Sequence, residues 1–324
     1  MPTGLLVPGD YDDIAGFAER AESLGYDSLW TPELWGRDAF VALTVAAQRT
    51  ETIDLGTAIV NVYGRSPATL AQAAATLADA ADGRVRLGVG TSTAKVVEDL
   101  HGMAFDNPPR RLHETIELTK SFLQGDGRVN YEGRLFSVAD FPGLDCDIPV
   151  YAAALGAANR RATGRVADGW LPHNIPFDRL AAAYETIVET ARAAGREPND
   201  ITVSPYVPCA VSDDADEAYA AIRNHLAYYL GSSDGYKNAA ALAFPEQAAQ
   251  VADAWRDGDR DAAREAVTDE MMTQLAIVGP PEKARTQFEE LAARDVVDEI
   301  IVSIPLGASD SLREQTIAEL APHE

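Results

Sequence analysis

The sequence predicts an α/β fold in which eight parallel strands, each followed by a helix, close into a (β/α)8 TIM barrel with insertions. Short apolar runs alternate with longer amphipathic segments along the whole chain, and 324 residues suffice for eight such units. The first apolar run ends in Val7-Pro8-Gly9-Asp10, which lacks the glycine-rich turn expected in a doubly wound open sheet. The open sheet is therefore the weaker alternative.

The apolar runs predict the strands in chain order. The run at 53–60 is rich in β-branched residues, and the run at 85–90 is VRLGVG. The eight predicted strands are 4–7, 28–31, 53–60, 85–90, 149–153, 169–171, 201–211 and 299–304.

Helical spacing of apolar residues predicts the intervening helices. Gly25 is placed to end the first helix, and Pro67 is placed to open the third. Acidic residues from Asp213 onward suit the first turn of another helix. The predicted helices are 11–24, 40–48, 67–81, 109–123, 157–167, 177–194, one beginning at 213, 280–293 and a terminal helix.

Three segments interrupt the alternation of strands and helices, and they are interpreted as insertions into one domain that spans 1–324. They cover about 91–107, 125–147 and 231–268. The middle one carries turn residues and short β-like runs, and 231–258 is expected to be irregular or partly helical.

The charge is strongly acidic. There are 51 Asp plus Glu against 27 Lys plus Arg, a formal net charge of −24 that is spread along the chain. Such a field repels phosphate backbones and anionic membranes, so we expect neither a nucleic-acid nor a membrane partner. Lysine occurs only at Lys95, Lys120, Lys237 and Lys283. An acid-rich, lysine-poor surface predicts a protein of a halophilic host, where molar salt screens the self-repulsion.

Other compositional signals are few. Cys146 and Cys209 form no metal-binding or disulfide pattern, and no apolar stretch approaches the length of a membrane span. No signal peptide is visible at the N-terminus, so the protein is expected to be cytoplasmic.

In a TIM barrel, sites form on the loops that follow the strands. Those loops contain Glu33 after the second strand, Asn61 after the third and His173 after the sixth. They are otherwise rich in glycine and small hydroxyl residues, which suits a cofactor that brings its own chemistry. The turn Gly156-Ala157-Ala158 could present backbone N–H groups to a phosphate, or could simply pack tightly. Glu33 could equally be a solvated acid, and His173 a surface residue. No metal-ligand spacing is present.

Four stretches in order resemble the luciferase-like flavin- and deazaflavin-dependent oxidoreductases. They are LWTPELWGRDAF (29–40), LGTAIVNVYGRSPATLAQAAATLADAADGRVRLGVG (55–90), VYAAALGAANRRATGRVADGWL (150–171) and AIVGPPEKA (276–284). The stretches VSPYVPCAVSDDA (203–215) and GDRDAAREAVTDEMMTQLAIVG (258–279) are most similar to the coenzyme F420-dependent methylenetetrahydromethanopterin reductases.

The resemblance implies a bacterial-luciferase-like barrel and assigns roles by position. It implies a non-proline cis peptide between Ala58 and Ile59 that backs the central ring of the cofactor, with Asn61 beside the ring. The remaining implied cofactor contacts, to the ribityl-phosphate arm or to neighbouring atoms, are Gly90, Thr91, Ser92, Leu155, Gly156, Ala157 and Ala158. Glu33 and His173 are the candidate catalytic residues, as polar contacts to the ring or substrate.

The chain departs from the reductase pattern at two places. Leu5, with Leu6 beside it, stands where those reductases usually carry a glutamate on strand one, and Pro32-Glu33 replaces their Asp-His after strand two. A methylene-pterin substrate would then lack its usual charge stabiliser. The resemblance therefore implies the hydride-transfer reaction more strongly than it implies the pterin substrate.

The leading hypothesis is hydride transfer between coenzyme F420 and a small organic substrate. The alternatives are an FMN-dependent monooxygenase and a non-catalytic flavin-binding protein. The resemblance also implies a homodimer or homotetramer.

Overall fold

A computed structural model describes residues 1–8, 12–125 and 127–322 and confirms the TIM barrel. Eight parallel strand positions among these residues follow one another around the sheet in chain order. They are formed by β1 (Thr3–Leu6), β2 (Ser28–Thr31), β3 (Asp54–Thr57), β5 (Val85–Gly90), β8 (Val150–Ala153), β9 (Gly169–Trp170), β10 (Thr202–Val203) with β11 (Tyr206–Val211), and β13 (Ile300–Ser303). Two short strands lie off this ring, namely β4 (Val60–Asn61), which pairs with β5, and β12 (Ile277–Gly279), which pairs with β11.

The segment that contains β10 and β11 closes the barrel. β10 pairs in parallel with β9, and Tyr206 N still donates to Pro172 O at 3.2 Å. From Tyr206 onward the same segment pairs in parallel with β13, which pairs in turn with β1. The predicted single strand at 201–211 is therefore interrupted around Pro205, where it leaves one neighbour and joins the next.

The helices surround this sheet at nearly the predicted positions. The first cap is Asp13, whose carboxylate accepts from Gly16 N at 3.0 Å, and the third is Ser66, which precedes Pro67. The helices between consecutive barrel strands are α1 (Ile14–Ser23), α2 (Ala39–Ala47), α3 (Pro67–Ala80), α4 (Pro108–Gln124), α5 (Ala157–Val166) and α6 (Leu180–Ala193). Towards the C-terminus come α7 (Ala215–Ser232), α8 (Asp234–Ala240), α9 (Pro245–Arg256), α10 (Arg260–Glu265), α11 (Asp269–Leu275), α12 (Pro281–Ala292) and α13 (Asp310–Glu319).

The first two irregular segments are short excursions. Residues Val96–Leu100 form one turn of π-helix, and β6 (Arg128–Glu132) pairs antiparallel with β7 (Ser137–Pro142). Glu114 of α4 holds the hairpin turn, since its buried carboxylate accepts from the backbone N–H groups of Arg134, Leu135 and Phe136 at 2.8–3.2 Å. These bonds lower the pKa of Glu114 despite its burial.

The segment 231–258 is more helical than the sequence predicts. It contains the end of α7 and all of α8 and α9, with α10 following directly. α8 has seven residues and α10 has six, which is too short to display a helical period in the sequence. Tertiary packing stabilises them, since Ala240 of α8 and Ala263 of α10 belong to a second hydrophobic core outside the barrel, together with Leu226 of α7 and Val251 of α9.

A buried polar network fills the amino-terminal end of the barrel. Glu299 is 1% exposed and accepts from Arg86 at 3.0 Å and from Ser204 at 2.8 Å. Arg86 also donates to Asp54, at 2.6 Å. Because every member is paired, the network closes this end of the barrel and leaves the carboxyl-terminal mouth for ligands.

Candidate functional site

The barrel mouth contains a floor of small and aliphatic side chains. Ala58 and Ile59 are joined by a non-proline cis peptide, as the resemblance implied, in the gap between β3 and β4. Ile59, Ala153, Leu6 and Tyr206 are partly buried and pack on an inner cluster that also contains Trp30 and Leu171. We call Leu6, Ala58, Ile59, Gly90 and Ala153 the shelf.

Gly90 allows the shelf to pack closely. A Cβ placed on Gly90 would lie 3.0 Å from both Cγ1 and Cδ1 of Ile59 and 3.3 Å from Cβ of Ala153. The position of Ile59 over the end of β5 therefore depends on the missing side chain at residue 90.

The inward residue of strand one is Leu6 rather than Leu5. Leu5 is fully buried in the core between strands and helices, whereas Leu6 packs on the inner cluster. Side chains alternate across a strand, so the strand-one side chain at the mouth is the aliphatic Leu6 and no carboxylate faces the mouth from this strand. The sequence could not assign the face because the two leucines are adjacent.

The two predicted phosphate-arm loops lie side by side. Asn159, in the first turn of α5, donates from Nδ2 to Thr91 Oγ1 at 3.4 Å and so joins the loop after β8 to the loop after β5. Gly156 is the exposed N-cap of α5 with open space around its Cα, and no side chain caps this end. Ala157 and Ala158 are exposed, so their N–H groups are accessible at the positive end of the helix dipole.

Neighbouring residues define the shape of these loops. Ser92 has a left-handed backbone with φ 56°, Thr91 is buried, and Arg160 donates to the carbonyl of Leu155. The start of α8 closes over the second loop, because a Cβ on Gly235 would lie 3.9 Å from Cδ1 of Leu155.

Asn61 is buried, and its side-chain amide is already hydrogen-bonded to protein groups. Its Oδ1 accepts from Tyr63 N at 3.0 Å and from Gly64 N at 2.6 Å, and its Nδ2 donates to His101 Nε2 at 3.0 Å. It therefore shapes the loop after β4, and the His101 contact was not predicted from the sequence.

Glu33 is likewise engaged by protein groups. Arg65 binds both carboxylate oxygens, with one contact at 2.9 Å, and Glu33 Oε2 also accepts from Ala39 N at 3.0 Å. The ion pair raises the pKa of Arg65. The arrangement orients the loop before α2, and a direct catalytic role for Glu33 stays a prediction.

His173 is the predicted site residue with free bonding capacity. It is 2% exposed, its Nδ1 contacts Tyr206 O at 2.9 Å, and its Nε2 has no partner. The adjacent Asn174 is also buried, with φ 54° and neither amide atom bonded. Buried polar atoms are normally paired, so these atoms indicate a place for water or a ligand.

Residues from three further elements surround His173, and the sequence did not predict them. His173 stacks on Tyr206 at 4.2 Å between ring centroids and meets Tyr229 of α7 at 4.9 Å and Tyr236 of α8 at 5.7 Å. His225 of α7 follows at 6.2 Å. We call these five residues the histidine–tyrosine cluster. The helical spacing of His225 and Tyr229 was the available signal, since positions four apart share a helix face.

Burial keeps this cluster uncharged. It lowers the pKa of His173 to about 4 and the pKa of His225 to about 3. It raises the pKa of Tyr236 to about 12, and it raises those of Tyr206 and Tyr229 further. The three tyrosines remain partly exposed, so solvent reaches one side of the cluster, and we call that side the recess.

Other features lie apart from the mouth. A surface cavity of about 340 Å³ is lined by Lys120, Gln124 and Arg165 on the outside of α4 and α5. Within residues 1–8, 12–125 and 127–322, no three His, Cys, Asp or Glu side chains are grouped as metal ligands would be. No helix in these ranges has the length and apolarity needed to cross a membrane.

Comparisons with known proteins agree with this geometry. The family model described as luciferase-like monooxygenase matches residues 2–299. The 5,10-methylenetetrahydromethanopterin reductase of Methanolobus tindarius is 30% identical over 308 residues, which cover 93% of each chain. A protein of Mycobacterium tuberculosis that carries the name coenzyme F420-dependent oxidoreductase is 28% identical, over 96% of this chain and 94% of its own.

The solved structures include a similar enzyme. The coenzyme F420-dependent tetrahydromethanopterin reductase of Methanopyrus kandleri superposes with a TM-score of 0.83 at 26% identity, over 99% of this chain and 97% of that one. The similarity in sequence and in structure spans the barrel and its insertions, and the chain accordingly belongs to the luciferase-like monooxygenase family.

Proposed function

We propose that the protein is an oxidoreductase that transfers hydride between coenzyme F420 and a small organic substrate. The observation that carries this proposal is the apolar shelf, whose Ala153 lies three residues before the uncapped start of α5. Relatives across the full length of the chain are named as F420-dependent enzymes or as reductases of methylenetetrahydromethanopterin.

The residues present fit such a cofactor. Ala58, Ile59 and Ala153 offer an apolar floor for a tricyclic ring, and the N–H groups of Ala157 and Ala158 suit a phosphate. When bound, the deazaflavin supplies the hydride chemistry, while the protein orients the substrate and excludes water. A pterin substrate fits less well, because Leu6 offers no carboxylate to a developing positive charge.

The proposal is tested by titrating the protein with F420 and with FMN in molar KCl and following fluorescence quenching. We expect saturable F420 binding at micromolar concentration or below and weaker FMN binding. Tight FMN binding together with oxygen consumption by the reduced FMN complex would instead identify a monooxygenase. Failure of both cofactors to bind would leave a barrel without this redox function.

We further propose a homodimer that uses α2. This helix is apolar around most of its circumference, and Val41 and Val45, one turn apart, are 65% and 43% exposed. Trp35, in the preceding loop, is 65% exposed. Exposed apolar groups this close together are typical of a protein interface. Val41→Asp should yield monomers by light scattering, whereas Leu242→Asp on the loop after α8 should not.

A further inference from the structure

The hydrogen bond of His173 determines which of its nitrogens can react. Nδ1 lies 2.9 Å from the carbonyl oxygen of Tyr206, and a carbonyl can only accept. Nδ1 must therefore carry the proton, and in the neutral ring Nε2 carries the lone pair. Nε2 is buried and has no partner, so it offers a hydrogen-bond acceptor to whatever occupies the recess.

The recess adjoins the shelf. Tyr206 joins the two, since it packs on the same inner cluster as the shelf residue Ile59 and stacks on His173. α8 carries Tyr236 and also approaches the second phosphate-arm loop, since a Cβ added to Gly235 would lie 3.9 Å from Cδ1 of Leu155. A molecule in the recess would consequently lie next to a ring on the shelf.

The walls of the recess select for an uncharged ligand. The described groups that face His173 are Tyr206 of β11, His225 and Tyr229 of α7, and Tyr236 of α8. All are neutral at physiological pH, so no ionic partner is available to a charged substrate. Arg65, a cation of the rim, is already paired with Glu33 and Asp38. An ionised group in this recess would lose hydration without compensation.

We infer that the histidine–tyrosine cluster is the substrate subsite, and that it takes an uncharged alcohol whose hydroxyl donates to Nε2 of His173. This inference rests on the proposed hydride transfer to F420. In the alcohol-oxidising direction, the carbinol C–H bond breaks and its hydride reduces the oxidised deazaflavin. The O–H bond breaks as well, its proton passes to Nε2 of His173, and a carbonyl compound forms. His173 then releases that proton to solvent through the recess.

The residues of the histidine–tyrosine cluster have separate roles. His173 touches the substrate and acts as general base, a function that contributes about 10²–10⁴-fold to rate. Tyr206 holds the tautomer through its carbonyl and packs on the imidazole ring. His225 is a positioning residue, because it stacks on Tyr229 at 4.5 Å and meets His173 at 6.2 Å.

The test compares His173→Asn with His113→Asn, a control on the outer helix α4. The asparagine amide at 173 can still donate towards the Tyr206 carbonyl but cannot accept as Nε2 does. The probes are 2-butanol and cyclohexanol as uncharged alcohols and lactate as an anionic one, each with oxidised F420. We expect the alcohols to reduce F420 and lactate not to. We expect His173→Asn to lower kcat/KM at least 100-fold while the Kd for F420 changes less than twofold.

A second measurement does not depend on turnover. Nitrogen NMR of histidine-labelled protein should show His173 as the neutral Nδ1–H tautomer, and its Nε2 signal should shift when cyclohexanol is added. A proton on Nε2, no shift with either alcohol, or equal turnover by His173→Asn would each overturn the subsite. Absence of F420 binding would overturn the proposed function, and the NMR result would still decide whether the recess binds alcohols.

Discussion

At the scale of single residues, the site depends as much on absent side chains as on reactive ones. Gly90 and Leu6 leave an apolar floor, while His173 provides an acceptor at its edge. The sequence predicted Gly90 and His173 as site residues but assigned the strand-one position to Leu5. Periodicity along a four-residue strand could not decide which of two adjacent leucines faces inward.

Gly90→Ala should weaken F420 binding by about tenfold, which corresponds to about 1.4 kcal/mol. The new Cβ would lie 3.0 Å from Ile59, so either Ile59 must shift or the shelf must narrow. The measurement is a fluorescence titration of F420. Gly127→Ala is the matched control, because a Cβ there would meet nothing within 4 Å. Equal affinity in both variants would exclude Gly90 from the cofactor site.

The two buried histidines should make the protein less stable in mild acid. Burial lowers the pKa of His173 to about 4 and that of His225 to about 3, whereas the unfolded chain has its ordinary value near 6.5. Below about pH 6.5 the unfolded state therefore binds more protons than the native state, and the free energy of unfolding decreases as the pH is lowered. The loss should be about 2 kcal/mol per histidine between pH 7 and pH 5.

This pH dependence is measured by urea unfolding at constant molar KCl. The double variant His173→Asn/His225→Asn should show a smaller decrease in unfolding free energy over the same pH interval than the wild-type protein. Carboxylates titrate in both proteins, so the difference between their slopes isolates the histidines. If the unfolding free energies of the two proteins had the same pH dependence, the imidazoles would take up protons in the folded state as they do in the unfolded chain.

At the scale of secondary-structure elements, the start of α5 is the candidate phosphate site. Ala158→Asp should lower F420 affinity at least tenfold while leaving thermal stability unchanged or slightly higher. A carboxylate in the first turn favours the helix through its dipole but repels a bound phosphate. Opposite effects on stability and on binding distinguish an anion site from ordinary packing.

The control for this prediction is Ala182→Asp, an exposed position in the first turn of α6. It adds the same charge at an equivalent place in another helix. We expect no more than a twofold change in its Kd for F420, measured by the same titration. An equal loss of affinity in the two variants would point to long-range charge repulsion instead of a local phosphate contact.

The elements also show where prediction from sequence fails. The barrel strands and most of the long helices were predicted because their apolar periodicity records which face is buried, whereas α9, with 12 residues, lies in a segment expected to be irregular or partly helical. The sequence did not predict α8, α10 or the hairpin of β6 and β7 as separate elements. α8 and α10 have too few residues to show a helical period. Long-range contacts hold them in place, as Glu114 does for the hairpin turn.

At the scale of the whole molecule, the net charge of −24 should make stability depend on salt. Many of the ion pairs are exposed, for example Lys95–Asp99 and Arg264–Asp261, and such pairs contribute little. The remaining carboxylates repel one another, and molar salt shortens the screening length to about 3 Å. Tm should therefore rise by about 5 °C or more between 0.1 M and 2 M KCl, which corresponds to about 3 kcal/mol for a chain of this size.

A thermal melt followed by circular dichroism measures this dependence. An equal osmolality of sucrose serves as the control, because sucrose stabilises by exclusion without screening charge. A Tm that does not change with KCl, or that rises as much in sucrose, would contradict the predicted adaptation to molar salt.

The amino-acid sequence by itself determined the order of strands and helices and the closed barrel, because both follow from local periodicity and from chain connectivity, and it predicted the rim on which the candidate site lies. Only the tertiary structure decided which side chains face the mouth and which polar groups are already occupied. Asn61 and Glu33 proved to be bonded to the protein, and His173 was joined by Tyr229 and Tyr236 from α7 and α8. Such contacts join residues far apart in the chain, so their energies leave no pattern in the sequence around either partner.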